Sequence, residues 1–113
     1  MKSPITTHVL DTAKGGPAAG VRITLDRLNE GVFEVLSDGV TDDDGRVADL
    51  LAPGTLETGT YRITFFVGAY HETQGTPGFY PEVPVLFEIR ATDEHYHVPL
   101  LISPFGFSTY RGS

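Results

Sequence analysis

Apolar and polar residues alternate in several short stretches of the chain, which Gly and Pro punctuate. From Gly20 onward, Val21, Ile23 and Leu25 alternate with Arg22, Thr24 and Asp26, the period-two signature of a strand with one buried face. Val32 to Leu36 follows as its partner. The intervening Asn29-Glu30-Gly31 contains residues tolerant of positive φ, which predicts a β-hairpin. Tyr61, Ile63, Phe65 and Val67 mark the clearest one-faced strand, preceded by a Gly- and Thr-rich connector over 53–60. Ile5 to Leu10 reads as the first strand, ended by the loop Asp11-Thr12-Ala13-Lys14-Gly15-Gly16-Pro17. Val83 to Ile89 and His95 to Ile102 complete the set, and Ser103-Pro104-Phe105-Gly106 turns the chain into Phe107 to Tyr110. Only Gly68 to Gly75 predicts a helix, roughly two turns closed by its glycine. The pattern predicts an all-β antiparallel sandwich or barrel of about seven or eight strands, without internal repeats.

Bulk properties narrow the function classes. A chain of 113 residues predicts one domain spanning 1–113, with no separate cofactor-binding lobe. The formal charge of −7, with only 8 Lys and Arg, disfavours nucleic acid as a partner. It leaves room for an anionic small molecule if one or two arginines focus positive potential in a pocket. With no cysteine, there is no disulfide framework and no thiolate nucleophile. The amino-terminal run through His8 shows no apolar stretch of signal-peptide length and no segment reaches membrane-spanning length, so a cytoplasmic location is expected.

Proton-transfer chemistry near neutrality falls to four histidines, His8, His71, His95 and His97. His8 sits inside the first strand, its neighbours Thr7 and Val9 facing the other way. His95 and His97 share a face of a late strand. If the two strands are neighbours, His8 and His97 meet across the sheet. A structural role is the ordinary fate of any one histidine. A zinc site built from His8, His95 and His97, with Asp93 or Glu94 added, is the competing arrangement. The acidic run Asp42-Asp43-Asp44 before Gly45 lacks the later bidentate Glu of a calcium loop and reads as a turn whose carboxylates bond local backbone. Arg46, next along, either pairs with those acids or offers a planar, permanently charged fork to an oxyanion or a carbonyl-rich heterocycle.

Ile5-Thr6-Thr7-His8-Val9-Leu10-Asp11, Asp44-Gly45-Arg46, Phe79-Tyr80-Pro81-Glu82, Tyr96-His97-Val98-Pro99-Leu100-Leu101 and the closing Tyr110-Arg111-Gly112-Ser113 together resemble the transthyretin-related 5-hydroxyisourate hydrolases. The resemblance runs over essentially the whole chain, and the closing tetrapeptide marks these enzymes off from the hormone-carrying transthyretins. It implies a transthyretin-like sandwich of two four-stranded sheets with one short helix, assembled as a homotetramer (a dimer of dimers) with active sites in a channel at the dimer–dimer interface. The implied reaction converts 5-hydroxyisourate to 2-oxo-4-hydroxy-4-carboxy-5-ureidoimidazoline in urate degradation, by adding water to a cyclic amide carbonyl, without a metal or organic cofactor. The implied catalytic residues are His8, Arg46, His97 and Ser113, with His8, Arg46 and Tyr110 binding substrate. His71 and His95 carry no implied role.

The chemistry expected from these residues uses His8 or His97 as general base on water and the other as acid, with Arg46 stabilising the tetrahedral intermediate. Ser113 orients water or substrate, or attacks directly; activated water is preferred, because a terminal serine is hard to hold beside a base. The rival reading is a carrier that binds an aromatic ligand in the same channel. Chain ends ordinarily fray. A catalytic Ser113 therefore requires an ordered tail pinned beside His8, Arg46 and His97.

Overall fold

The alternating segments pair into two sheets in the computed structural model, which describes residues 2–113. The strands are β1 (Ile5–Thr6), β2 (Val9–Asp11), β3 (Gly16–Pro17), β4 (Arg22–Asn29), β5 (Val32–Val40), β6 (Gly59–Phe65), β7 (Val83–Ile89), β8 (Tyr96–His97), β9 (Leu100–Ser103) and β10 (Gly106–Thr109); one helix among the described residues, α1 (Val67–Thr73), follows β6. One four-stranded sheet has the order β5-β4-β6-β7 and is antiparallel throughout. The other has the order β10-β9-β2-β3, and a two-stranded β1-β8 ladder extends it.

The expected hairpin forms, with β4 and β5 joined through Glu30 (φ 51) and Gly31 (φ 80). Two consecutive positive φ values twist this two-residue turn to match the strands. Asn29 is the last residue of β4 rather than part of the turn, and β5 runs on to Val40, beyond the expected Leu36. The helix begins one residue earlier than expected and takes Val67 from the end of the strand before it. Its carboxyl end is closed by Gly75 N–H to the Glu72 carbonyl (3.0 Å) and Thr76 N–H to the His71 carbonyl (3.0 Å), the paired bonds of a Schellman motif.

Two departures from the expected strands concern the segments around His8 and His97. The first and penultimate strands run parallel, where an antiparallel sandwich was expected, and each is cut in two. Thr6 is paired with His97 and Val9 with Leu100, the same offset on either side of the break. Pro99 has no N–H to give, and the Val98 carbonyl is taken by the Thr7 hydroxyl (2.6 Å) instead of a backbone donor. Direct bonds from Val98 N–H to the Thr6 carbonyl and from Leu100 N–H to the His8 carbonyl, both 2.9 Å, hold the strands together across the gap. A parallel neighbour is possible because these strands lie at opposite ends of the sequence, with a long crossover between them.

The core fills the space between the sheets. Val21, Ile23, Leu25, Tyr61, Ile63 and Phe65 from one sheet meet Ile5, Val9, Leu100 and Ile102 from the other, all at most 1% exposed. Helix α1 is anchored by its Tyr70, whose hydroxyl donates to Asp11 Oδ2 (2.8 Å), while Asp11 Oδ1 accepts from the N–H groups of Ala13 and Lys14. Burial, reinforced by this carboxylate, pushes the Tyr70 phenol up to about 12, so it stays a donor. Leu100→Ala, at a fully buried position, should lower the unfolding free energy by about 2–5 kcal/mol through lost burial and the cavity left behind; denaturant titration measures it.

Candidate active site

Alternation along the paired parallel strands decides which side chains leave the core. Ile5, Thr7 and Val9 are buried while Thr6 and His8 are half-buried; on the partner strand Tyr96 and Val98 are buried while His97 is half-buried. Thr6, His8 and His97 therefore share the outer face of the sheet, away from the other layer.

Arg46 reaches this face through the acidic turn. His8 and Arg46 form an antiparallel bridge, with Val9 N–H donating to the Gly45 carbonyl (2.8 Å). Gly45 has a φ of +76°, and a Cβ there would lie 2.4 Å from the Val9 carbonyl oxygen, so this approach admits only glycine. Asp42 Oδ1 accepts from Asp44 N–H (2.9 Å) and Arg46 N–H (3.0 Å), which is the local carboxylate-to-backbone bonding expected of the run. Among the described residues, no group of three or more His, Asp or Glu side chains is arranged to hold a metal ion.

The carboxyl-terminal tail returns to the same place. Gly112 N–H donates to the His97 carbonyl (2.8 Å), and the two residues form an isolated bridge. The Arg111 guanidinium lies 4.5 Å from the centre of the Tyr96 ring and donates to Glu94 Oε1 at 3.0 Å. Both partners of that ion pair are exposed, so the backbone bond and the ring contact do more to fix the tail than the charge pair does. Gly112 packs against the His97 imidazole so closely that a Cβ would sit 2.5 Å from Cδ2.

Arg46, His95, His97 and Ser113 consequently line one pocket of about 410 Å³, together with Thr6 and Asp42. His8 adjoins it through its bridge to Arg46. Tyr110, 60% exposed, lines a separate cavity of about 320 Å³ with Leu86, Tyr96 and Arg111. His71 is buried in α1 against Gly78, outside this cluster.

The His97 imidazole is held below its usual range, first by burial and then by Arg46, His8 and His95 nearby, with a hydrogen bond from the ring to the Thr6 backbone opposing the shift. Its Nδ1 is 2.8 Å from the Thr6 hydroxyl, which also lies 2.9 Å from His95 Nε2. A neutral ring with one nitrogen engaged leaves the other free for proton transfer.

A family model described as the HIUase/Transthyretin family matches residues 5–112. The chain belongs to this family. It is 50% identical to the 5-hydroxyisourate hydrolase of Mesorhizobium japonicum, covering 96% of this chain and 91% of that protein. Among solved structures it superposes on transthyretin from Sparus aurata with a TM-score of 0.93 at 30% identity (98% of this chain, 97% of that one). It superposes on Klebsiella pneumoniae 5-hydroxyisourate hydrolase with a TM-score of 0.84 at 38% identity (96% and 92%). The sandwich is thus transthyretin-like, as the resemblance implied. One architecture carries both a transthyretin and a hydrolase, so the fold alone does not choose between them.

Two residues of this cluster carry no mark of their own in the sequence pattern. Thr6 is two residues from His8, and the period-two rule that oriented His8 puts Thr6 on the same face. Gly112 gives no such signal, since its closeness to His97 arises only when the tail folds back. For His97, the folded pKa lies below the unfolded value of 6.5. The unfolded chain therefore binds more protons at mildly acid pH, and stability present above about pH 6.5 is lost as pH falls through the folded pKa. Chemical denaturation across that range should show this decline, and His97→Gln should make it shallower.

Proposed function

We propose that this chain hydrolyses 5-hydroxyisourate to 2-oxo-4-hydroxy-4-carboxy-5-ureidoimidazoline in urate breakdown. The observation that carries the reading is a single pocket in which a neutral-leaning imidazole, a guanidinium and a hydroxyl converge, in a chain whose relatives bear the name of that hydrolase. A carrier of apolar aromatic ligands has no need of charged and protonatable groups, whereas this pocket sets Asp42, Arg46, His95, His97 and Ser113 beside Val47 and Ala48.

In the proposed mechanism His97 takes a proton from water through its free ring nitrogen, and the resulting hydroxide adds to the cyclic amide carbonyl carbon. Arg46 binds the substrate's carbonyl oxygens and stabilises the negative charge of the tetrahedral intermediate. The intermediate collapses by breaking the ring C–N bond, and His8 gives a proton to the departing nitrogen. Ser113 orients water or substrate. No step calls on a metal or organic cofactor. Tyr110, in a separate cavity of its own chain, is assigned a substrate contact made across a subunit boundary.

A homotetramer, a dimer of dimers, is proposed because the pocket lies on an outer sheet face that this chain leaves uncovered; a second copy would close it and exclude water. Residues 1–113 are read as one domain of this enzyme, with the cytoplasm as its compartment. No described helix is long and apolar enough to cross a membrane.

The direct test generates 5-hydroxyisourate from urate and follows its disappearance by ultraviolet absorbance; decay no faster than the spontaneous rate would refute the reading. His8→Ala and His97→Ala should each lose at least about 100-fold in kcat/KM while remaining assembled, in line with general acid–base contributions. Ser113→Ala should keep most of its turnover, and a trapped adduct on Ser113 would replace activated water with a serine nucleophile. Gly112→Ala, which forces a carbon against the His97 ring, should cost about 100-fold in rate through misplacement while shifting the melting temperature little.

A further inference from the structure

The Thr6 hydroxyl stands between two imidazoles, 2.9 Å from His95 Nε2 and 2.8 Å from His97 Nδ1. Thr6 is the register partner of His97 in the parallel ladder, so the backbone fixes this contact. A hydroxyl has one proton, and between two ring nitrogens it donates to one and accepts from the other. Two arrangements satisfy it. In the first, His97 donates Nδ1–H to Thr6, Thr6 donates to His95 Nε2, and His97 Nε2 keeps a lone pair. In the second, His95 donates Nε2–H to Thr6, Thr6 donates to His97 Nδ1, and the His97 proton sits on Nε2. Only the first leaves His97 able to accept a proton.

We propose that Thr6 and His95 are positioning residues that hold His97 in its Nδ1–H tautomer, and that protonation of His95 reverses the chain and removes His97 as a base. This assignment rests on the hydrolase reading for its catalytic consequence. A cationic His95 has hydrogens on both nitrogens and can only donate to Thr6, which enforces the second arrangement. The protons balance: one enters at His97 Nε2 from solvent, Nδ1–H passes to the Thr6 oxygen, and the Thr6 proton passes to His95 Nε2. One positive charge is gained, and it resides on His95.

The surroundings favour that destination. His97 is faced by Arg46 from the acidic turn, His8 from between β1 and β2, and His95 beside its own strand. Lys2 and Asp42 line the same pocket, and Glu94 is engaged by Arg111. His95 is exposed whereas His97 is half-buried, so water solvates a charge on His95 better.

The test combines heteronuclear NMR of histidine-labelled protein, which reports the tautomer of each ring, with turnover between about pH 5 and pH 8. In the unaltered protein, His97 should change from Nδ1–H to Nε2–H as His95 titrates. In Thr6→Val, the His97 tautomer should no longer follow His95, and kcat should fall roughly three- to tenfold with KM little changed, the population shift expected from one lost hydrogen bond. Thr6→Ser should restore both. His95→Phe, a surface change, should reduce the acid limb of the kcat/KM profile from two ionisations to one. An identical His97 tautomer across this pH range in the unaltered and Thr6→Val proteins would overturn the proposal, as would an unchanged acid limb in His95→Phe. The spectra do not depend on turnover: tautomer coupling in a protein without hydrolase activity would support the relay and sink the hydrolase reading instead.

Discussion

The parallel pairing of the amino-terminal strand with the penultimate strand is the contact on which the site depends. Its inward residues, Ile5, Val9, Leu100 and Ile102, belong to the core, and its outward residues include Thr6, His8 and His97. One register therefore serves packing and chemistry together. A slip by one residue would turn the histidines into the core and the aliphatic side chains out to water, an error that burial opposes strongly. The interruption at Thr7 and Pro99 leaves this register intact, because direct backbone bonds flank it on both sides. Onto this platform the acidic turn and the tail are each fastened by backbone: Val9 to Gly45 on one side, Gly112 to His97 on the other.

Both attachments use a glycine: at Gly45 nothing larger fits against backbone, and at Gly112 a side chain would displace the His97 ring. Gly45 approaches the Val9 carbonyl in a left-handed conformation, and Gly112 lies flat against the His97 ring. The result is a cluster of cationic and protonatable groups in a protein whose overall charge is −7. Burial, and after it the closeness of Arg46, His8 and His95, makes the neutral form of His97 the comfortable one. The distant surplus of carboxylates is screened by solvent and has little influence on that balance. Local geometry, more than net charge, thus sets what this pocket can bind and which way protons move in it.

Much of this was legible in one dimension. Strict alternation in Val21 to Asp26 set a buried face, and in Ile5 to Leu10, where polarity does not alternate, the period of two still put His8 on the side opposite Thr7 and Val9. Asn29-Glu30-Gly31 announced a hairpin, and Gly68 to Gly75 announced the helix, closed by its glycine. The carboxylates of the acidic turn bond their own backbone because their partners are within a few residues. His8, Arg46, His97 and Ser113 were marked as a group only by resemblance to the HIUase/Transthyretin family. Periodicity gave each histidine a face but no neighbour.

Tertiary structure decided everything that joins residues distant along the chain. The parallel sense of the first strand against β8 and β9 could not be read from alternation, which is the same for either direction. Only that pairing sets Thr6 opposite His97, some 91 positions later. The tail's order likewise came from outside itself, from the His97 carbonyl and the Tyr96 ring, and Tyr110 proved to line a cavity of its own beside β7. The sequence by itself determined which residues could be buried and where the chain could turn, because those are local properties of side-chain size, polarity and backbone freedom. Which of the exposed side chains would meet depended on long-range strand register and on close approach, and these exist only in the folded chain.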